Sequence, residues 1–280
     1  MNPLRDVISM STLGTNGRLG NQIFQYGFLR TYALRHDLEV QTPAWAGQAL
    51  FGVSDPPIAQ PLPVVRENTD HDLVDTIVPH APQPYRNVDF WGFFQYHTSY
   101  YQPERALWRS IFKPQRRVEH LGLALLERLR KPGAKLVGLH IRRGDYGYAH
   151  FFRAPCDWYR PWLDAQDKNS VLFVATDEPE LVKRELADYS PVVLSDLLPL
   201  PTPVPLDYLD FYLLTQCDAL AISNSTFSFA AAMLNARASE FMRPVLSQQG
   251  LVPFDPWNSM PLLRREKVED FPAILGISRN

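Results

Sequence analysis

Apolar residues along this chain fall into two kinds of run. Some are short and nearly continuous: residues 7–13, 88–96, Leu136–Ile141, 171–175, 192–194 and 219–222. Runs of that length, closed off by polar or turn residues, predict strands buried on both faces, as in a parallel sheet. Others repeat at helical spacing. Phe24, Phe28 and Tyr32 stand at i, i+4 and i+8, predicting a helix from about 20 to 36. Leu121, Leu125 and Leu129 predict one over 118–131 that Pro132-Gly133 ends. Pro103 suits the first position of a helix through about 112. Further helices are predicted around Trp158 to Ala165, from 179 to about 188, from Asp207 to about Gln216, and from the 223–228 turn to near Asn235. Strand–helix alternation in two blocks predicts an α/β fold with parallel sheets. The expected division is residues 1–115, residues 116–245, and a tail over 246–280 that packs back across both domains.

The chemistry gathers where predicted strands stop. After Ile141 the chain reads Arg142-Arg143-Gly144-Asp145-Tyr146, with His140 one residue earlier. Ligands of open α/β sheets sit outside the carboxyl ends of strands, and arginine's planar fork matches phosphate oxygens. This edge therefore reads as a phosphate holder with a titratable group beside it, against the plainer reading of a solvated loop. Asp177 follows the strand 171–175; its carboxylate can accept from guanine or ribose donors, or it and Thr176 can simply cap the next helix. Ser223-Asn224-Ser225-Thr226-Phe227-Ser228 turns into a helix, and hydroxyls at a helix N-terminus serve an anion or an ordinary cap. His150 has a side chain suited to a base at neutral pH, although a surface histidine without such a role is the commoner case.

Gly14, Gly17 and Gly20 follow the first strand and open a helix, and Glu39 lies about 20 residues on, which imitates a dinucleotide fingerprint. The first two glycines are three apart, where that fingerprint has them two apart, so the match fails. The prolines of residues 53–86 predict irregular chain. Asp70-His71-Asp72 within it imitates a metal-binding Asp-x-Asp, but no strand precedes it, and no metal site is expected there.

The formal net charge of −2 gives no support to nucleic-acid binding. Cys156 and Cys217 are far apart and lack metal-ligand spacing, which fits a reducing compartment. At 45% hydrophobic residues the chain can build cores. No run of 18 apolar residues exists, so no membrane-spanning helix is expected.

Three segments carry a family resemblance. His140-Ile-Arg142-Arg143-Gly144-Asp145-Tyr146, Gly17-Arg18-Leu19-Gly20-Asn21-Gln22 and Ile222-Ser-Asn-Ser-Thr-Phe-Ser228 resemble, in order, motifs of the α-1,2-fucosyltransferases. Where that family continues the last motif with two tryptophans, this chain has Phe229-Ala230. The resemblance implies two facing Rossmann-like domains in the GT-B arrangement, with the active site in the cleft between them. It implies metal-independent, inverting transfer of L-fucose from GDP-fucose to the 2-hydroxyl of a galactose-terminated glycan, with no cofactor. Arg142 and Arg143 would grip the donor, with Asp177, Asn224, Ser225, Thr226, Phe227 and Ser228, while Arg18, Asn21 and Gln22 would lie near its phosphate and the acceptor. Asp145 or His150 would take the acceptor's proton, the corresponding loop of related enzymes carrying a carboxylate proposed as base, and His140 would orient the site. Golgi members carry a membrane anchor that this sequence does not show, which implies a cytoplasmic enzyme of bacterial type, with peripheral membrane contact only through a lipid-linked acceptor.

Overall fold

The computed structural model describes residues 6–67, 78–79, 81–198 and 202–271, and the chain divides into two compact units. The first comprises Met1–Gln115 with Trp257–Met260, the second Arg116–Pro256 with Pro261–Asn280. Asp70-His71-Asp72 lies outside the described residues.

The first unit runs β1 (Val7–Ser9), α1 (Leu19–His36), β2 (Glu39–Gln41), α2 (Ala46–Phe51), β3 (Val64–Arg66), β4 (Val88–Trp91) and α3 (Arg105–Ile111). Its sheet has the order β2-β1-β4-β3, all parallel. The strand expected over residues 7–13 is only its first part. From Met10 the chain turns, because Asp89 on β4 accepts from the Ser9 hydroxyl (2.6 Å), the Ser11 N–H (2.8 Å) and the Ser11 hydroxyl (2.6 Å) and pulls it out of the ladder. Strand β3 lies within the proline-rich stretch read as irregular. It is an edge strand, the one sheet position that tolerates neighbouring prolines, and the Pro63 carbonyl still accepts from Asp89 N–H at 2.9 Å.

Helix α1 buries the predicted aromatic face. Phe28 stacks on Phe94 with ring centroids 3.9 Å apart, and Phe24 meets Trp108 edge-on at 5.8 Å. Trp108 of α3 donates its indole N–H to Thr31 at 3.0 Å, so its one polar atom is satisfied inside the core. Its ring lies against Gly27, where a Cβ would come within 2.3 Å of the indole.

The second unit runs α4 (Arg116–Leu129), β5 (Leu136–Ile141), α5 (Arg160–Asp164), β6 (Val171–Thr176), α6 (Pro179–Glu185), α7 (Leu206–Leu214), β7 (Ala219–Ala221), α8 (Thr226–Leu234), β8 (Phe241–Val245) and β9 (Gly250–Pro253). The sheet order is β6-β5-β7-β8-β9, parallel except for β9. Strand β5 has neighbours on both sides and is buried throughout, which is why its sequence is an unbroken apolar run. Gly138 at its centre gives room to Cys217, whose sulfur would lie 2.5 Å from a Cβ there. Residues 192–194, expected as a strand, make a single bridge from Val192 to Phe173. The chain then winds into a short 3-10 turn, because the Asp196 carboxylate captures the Val193 N–H at 3.1 Å.

Each unit is thus an α/β layer structure built on parallel strands, the Rossmann-like type. We expect Gly27→Ala to destabilise the protein by about 1–3 kcal/mol, since overpacking against Trp108 outweighs the ~1 kcal/mol that alanine contributes in a helix. Urea unfolding midpoints of the two proteins measure this difference, and an unchanged or higher midpoint would contradict the packing described.

Candidate active site

Strands β6, β5 and β7 are adjacent and parallel, so their carboxyl ends share one edge of the second sheet. Three chain segments leave from that edge: 142–146 after β5, Asp177 after β6, and 222–225 into α8 after β7. The topology therefore assembles the two second-unit motifs, which are some 80 residues apart in sequence, into one place.

Arg142 is forked between carboxylates. Its Nη2 and Nε donate to Asp145 Oδ1 (2.6 and 3.1 Å), and its Nη1 lies 3.1 Å from Asp177 Oδ2. Its side chain is 20% exposed and that of Asp145 56%, so this pair is open to solutes. Asp177 also accepts from the backbone N–H groups of Arg143 (3.0 Å) and Gly144 (2.8 Å). A Cβ on Gly144 would sit 2.5 Å from Asp177 Oδ2, so the carboxylate can approach only because the residue is glycine. Arg143 goes to different partners. It forms a two-pronged pair with Glu185 on α6, through Nη1 at 2.8 Å and through Nη2, and its Nη2 reaches the Cys156 sulfur at 3.2 Å. Burial and the Glu185 contact push the Cys156 thiol up to about 12, so it is no nucleophile at neutral pH.

His140 is buried at the end of β5, its Nδ1 2.8 Å from the Ser223 hydroxyl and its ring 5.1 Å from that of Phe227. Burial first, then the positive charge of Arg142, lower its pKa to about 3. It is a neutral imidazole at neutral pH, a fixture of the site floor and not a proton carrier. His150 is also buried, its ring 4.0 Å from that of Phe151, and its carbonyl accepts from Asn224 Nδ2 at 2.7 Å.

Ser225 caps α8, accepting from Phe227 N–H at 3.4 Å. Ser228 is fully buried and donates to the carbonyls of Ser225 (3.3 Å) and Ser223 (3.5 Å). Asn224 Oδ1 accepts from Leu263 N–H (2.9 Å) and Arg243 (3.2 Å). Asn224 and Ser228 therefore shape the turn from inside, while Thr226 and Phe227 are half-exposed at the helix start.

Arg18, Asn21 and Gln22 belong to the first unit. Gln22 is buried and donates to the carbonyls of Gly17 (3.0 Å) and Gly14 (3.4 Å), and Asn21 accepts from Gln95 at 2.8 Å. Gly14 and Gly17 have φ of 91° and 90°, the left-handed region that glycine allows at no cost. Arg18 stands exposed at the start of α1.

Two residues were not read from the sequence. Arg153 donates to the carbonyls of Arg143 (3.0 Å), Tyr146 (2.7 Å) and Gly144 (2.9 Å) and so ties down the loop that bears Arg142 and Asp145. Asp210 lies on α7, and its Oδ1 is buried with no hydrogen-bond partner among the described residues. Burial, then the charge of Asp207, raises its pKa well above the ordinary carboxylate range. Its neighbour Phe211 packs on Phe227 at 5.5 Å, so α7 adjoins the start of α8. The available signal was a carboxylate within the otherwise apolar Tyr208–Leu214 run. Among the described residues no group of three or more His, Cys, Asp or Glu is placed to hold a metal ion, and no helix is long and apolar enough to cross a membrane.

Two solved structures share the fold over most of this chain. It matches fucosyltransferase NodZ from Bradyrhizobium with a TM-score of 0.62 at 14% identity, over 90% of this chain and 99% of that one. The NodZ α-1,6-fucosyltransferase soaked with GDP-fucose gives 0.61 at 15% identity over the same shares. The profile of glycosyl transferase family 11 matches residues 84–246, and the chain belongs to that family. In sequence it is similar to galactoside α-(1,2)-fucosyltransferase 2 of Oryctolagus cuniculus, 29% identical over 252 residues (80% of this chain, 67% of that protein). It is also similar to galactoside α-(1,2)-fucosyltransferase 1 of Homo sapiens, 26% identical over 250 residues (80% of this chain, 65% of that protein). The matched region thus spans about two thirds of these relatives' length. The α-1,2-fucosyltransferase resemblance carried by the three motifs holds; the 140–146 and 222–228 motifs lie inside the matched profile region and the 17–22 motif outside it.

The neutral His140 gives acid sensitivity a definite sign. Its pKa is about 3 in the folded protein and about 6.5 unfolded, so between those values the unfolded chain binds the extra proton. Its contribution is full above pH ~6.5 and falls by up to about 1.4 kcal/mol for each unit toward pH 3. We expect His140→Asn to lose stability less steeply across that window, read from denaturation midpoints at successive pH values; parallel curves would contradict the buried, neutral imidazole.

Proposed function

We propose that this chain is an inverting fucosyltransferase that moves L-fucose from GDP-fucose to the 2-hydroxyl of a galactoside, without a metal. The observation that carries the reading is the shared edge of β6, β5 and β7, which gathers the Arg142 cation, the Asp177-braced loop and the N-terminus of α8 in a family 11 chain. Breaking the bond between the sugar's anomeric carbon and the β-phosphate leaves negative charge on GDP. A guanidinium fork and helix N–H groups held in place beforehand stabilise that charge as it develops. Arg142 now spends its outer N–H groups on Asp145. A pyrophosphate is the stronger partner for that fork, and its arrival withdraws the arginine's bonds from Asp145. The more than half exposed Asp145 carboxylate then takes the proton of the acceptor hydroxyl, whose oxygen attacks the anomeric carbon from the face opposite the departing GDP. We assign Asp145 this role over His150, because the latter is buried against Phe151. The Asp210 carboxylate suits the paired N1–H and N2–H donors of guanine, which would satisfy an oxygen that now lacks a partner. The names of the relatives support the galactoside acceptor and the 2-linkage.

Arg142→Ala is expected to lower turnover at least about 100-fold and to reduce thermal stabilisation by GDP. Transfer is followed with GDP-fucose and a galactoside in the presence of EDTA, with the linkage read from product NMR. Unchanged turnover removes the assignment of Arg142, loss of turnover in EDTA removes the metal-independent reading, and a 6-linked product removes the proposed linkage. Asp210→Asn is expected to raise the ligand-free melting temperature, since it removes an acid whose ionisation burial and the charge of Asp207 both oppose, and to lose stabilisation by GDP while the response to UDP stays the same. An undiminished GDP response would show that Asp210 does not read the base.

A further inference from the structure

A pocket of about 470 Å³ opens in the second unit between the segment 152–157 and helix α6. This volume is in the range of small-molecule sites. One wall is the loop that carries the proposed catalytic residues: Gly147 lines it two residues beyond Asp145, and Arg153 lines it while holding the carbonyls of Arg143, Gly144 and Tyr146. The pocket is therefore a different space from the strand edge of Arg142, but it abuts the same loop.

The lining defines the class of occupant. Arg143, Arg153 and Arg160 face it, and so do Asp157, Glu178 and Glu185: three cations against three anions. Such a wall selects neither an anion nor a cation. The charges are also largely committed to one another, Arg143 to Glu185 and Arg160 to Asp157 at 3.0 Å. They remain partly accessible, as the Glu178 and Glu185 side chains are 35% and 36% exposed. What they offer a ligand is a dense mixture of N–H donors and carboxylate acceptors in fixed positions. Between them lie the apolar surfaces of Phe152, Pro155 and Leu181. An uncharged molecule whose hydroxyls both donate and accept, and whose ring presents C–H faces, matches that alternation.

We propose that this pocket is a saccharide subsite, holding the sugar units of the acceptor beyond the galactoside that reacts. This rests on the fucosyltransferase reading for its connection to catalysis. An extended acceptor seated there makes contacts, Arg153 among them, that the reacting galactoside alone does not. Binding of the longer acceptor then appears in KM.

The test uses the 280-residue chain and a variant of it, Leu181→Trp, which fills the pocket from a surface position 36% exposed. Transfer from GDP-fucose is compared for phenyl β-galactoside and for a galactose-terminated tetrasaccharide. The wild type is expected to favour the tetrasaccharide about tenfold in kcat/KM through a lower KM. The variant is expected to lose that preference while its rate with phenyl β-galactoside and its stabilisation by GDP stay unchanged. A preference that survives Leu181→Trp, or is absent from the wild type, overturns the proposal. Saturation-transfer NMR with the tetrasaccharide alone separates this from the underlying activity. If no fucose is transferred to any galactoside, the enzyme assignment fails, yet tetrasaccharide binding that is present in the wild type and lost in the variant upholds the subsite. No binding in either protein overturns it.

Discussion

Asp177 accepts from three directions at once: the backbone N–H of Arg143, the backbone N–H of Gly144 and the guanidinium of Arg142. Hydrogen bonds to a charged group are worth about 1.5–3 kcal/mol each, enough together to fix a loop that would otherwise be solvated chain. The bracing depends on strand β6 ending beside β5 and on Gly144 lacking a Cβ. It sets where Arg142 and Asp145 stand. Arg153 completes the clamp from the carbonyl side, so the loop's N–H groups and C=O groups are held by different residues.

The two arginines of the motif are neighbours in sequence with unlike tasks. Arg142 keeps a partly exposed fork held between the carboxylates of Asp145 and Asp177. Arg143 is spent on Glu185 and Cys156 and ties the loop to α6. That pair is only partly screened from water, the Arg143 side chain being 11% and that of Glu185 36% exposed, and its two-pronged geometry is what fixes the loop's position on α6. Beneath both, His140 is neutral because burial and the charge of Arg142 act in the same direction. The site thus has a floor that does not titrate near neutrality and a rim of partly exposed charged side chains.

Polar groups divide similarly elsewhere. Asn224, Gln22 and Ser228 sit within motifs but turn inward: Gln22 and Ser228 satisfy carbonyls of the turns that contain them, and Asn224 ties its turn to the His150 carbonyl and the Leu263 N–H. A motif residue of this kind matters because it sets backbone shape. Asp210 is the opposite case: absent from any motif, it carries a buried oxygen with no partner among the described residues, a state that costs stability.

The sequence by itself determined the α/β class, the long elements and the family. Apolar runs such as Leu136–Ile141 and the Phe24, Phe28, Tyr32 spacing are local consequences of strand and helix geometry, and the three motifs stand in one order along the chain. It did not determine the short strands Glu39–Gln41 and Val64–Arg66, because three residues carry too little pattern and owe their extension to β1 and β4 beside them. The early end of residues 192–194 was likewise set by a side chain, Asp196, competing for a ladder N–H. Only the tertiary structure decided which polar residues face outward. Whether an arginine grips a ligand or Glu185, and whether a histidine is charged, depends on what the fold places within about 3 Å of it, and those neighbours come from segments far away in sequence.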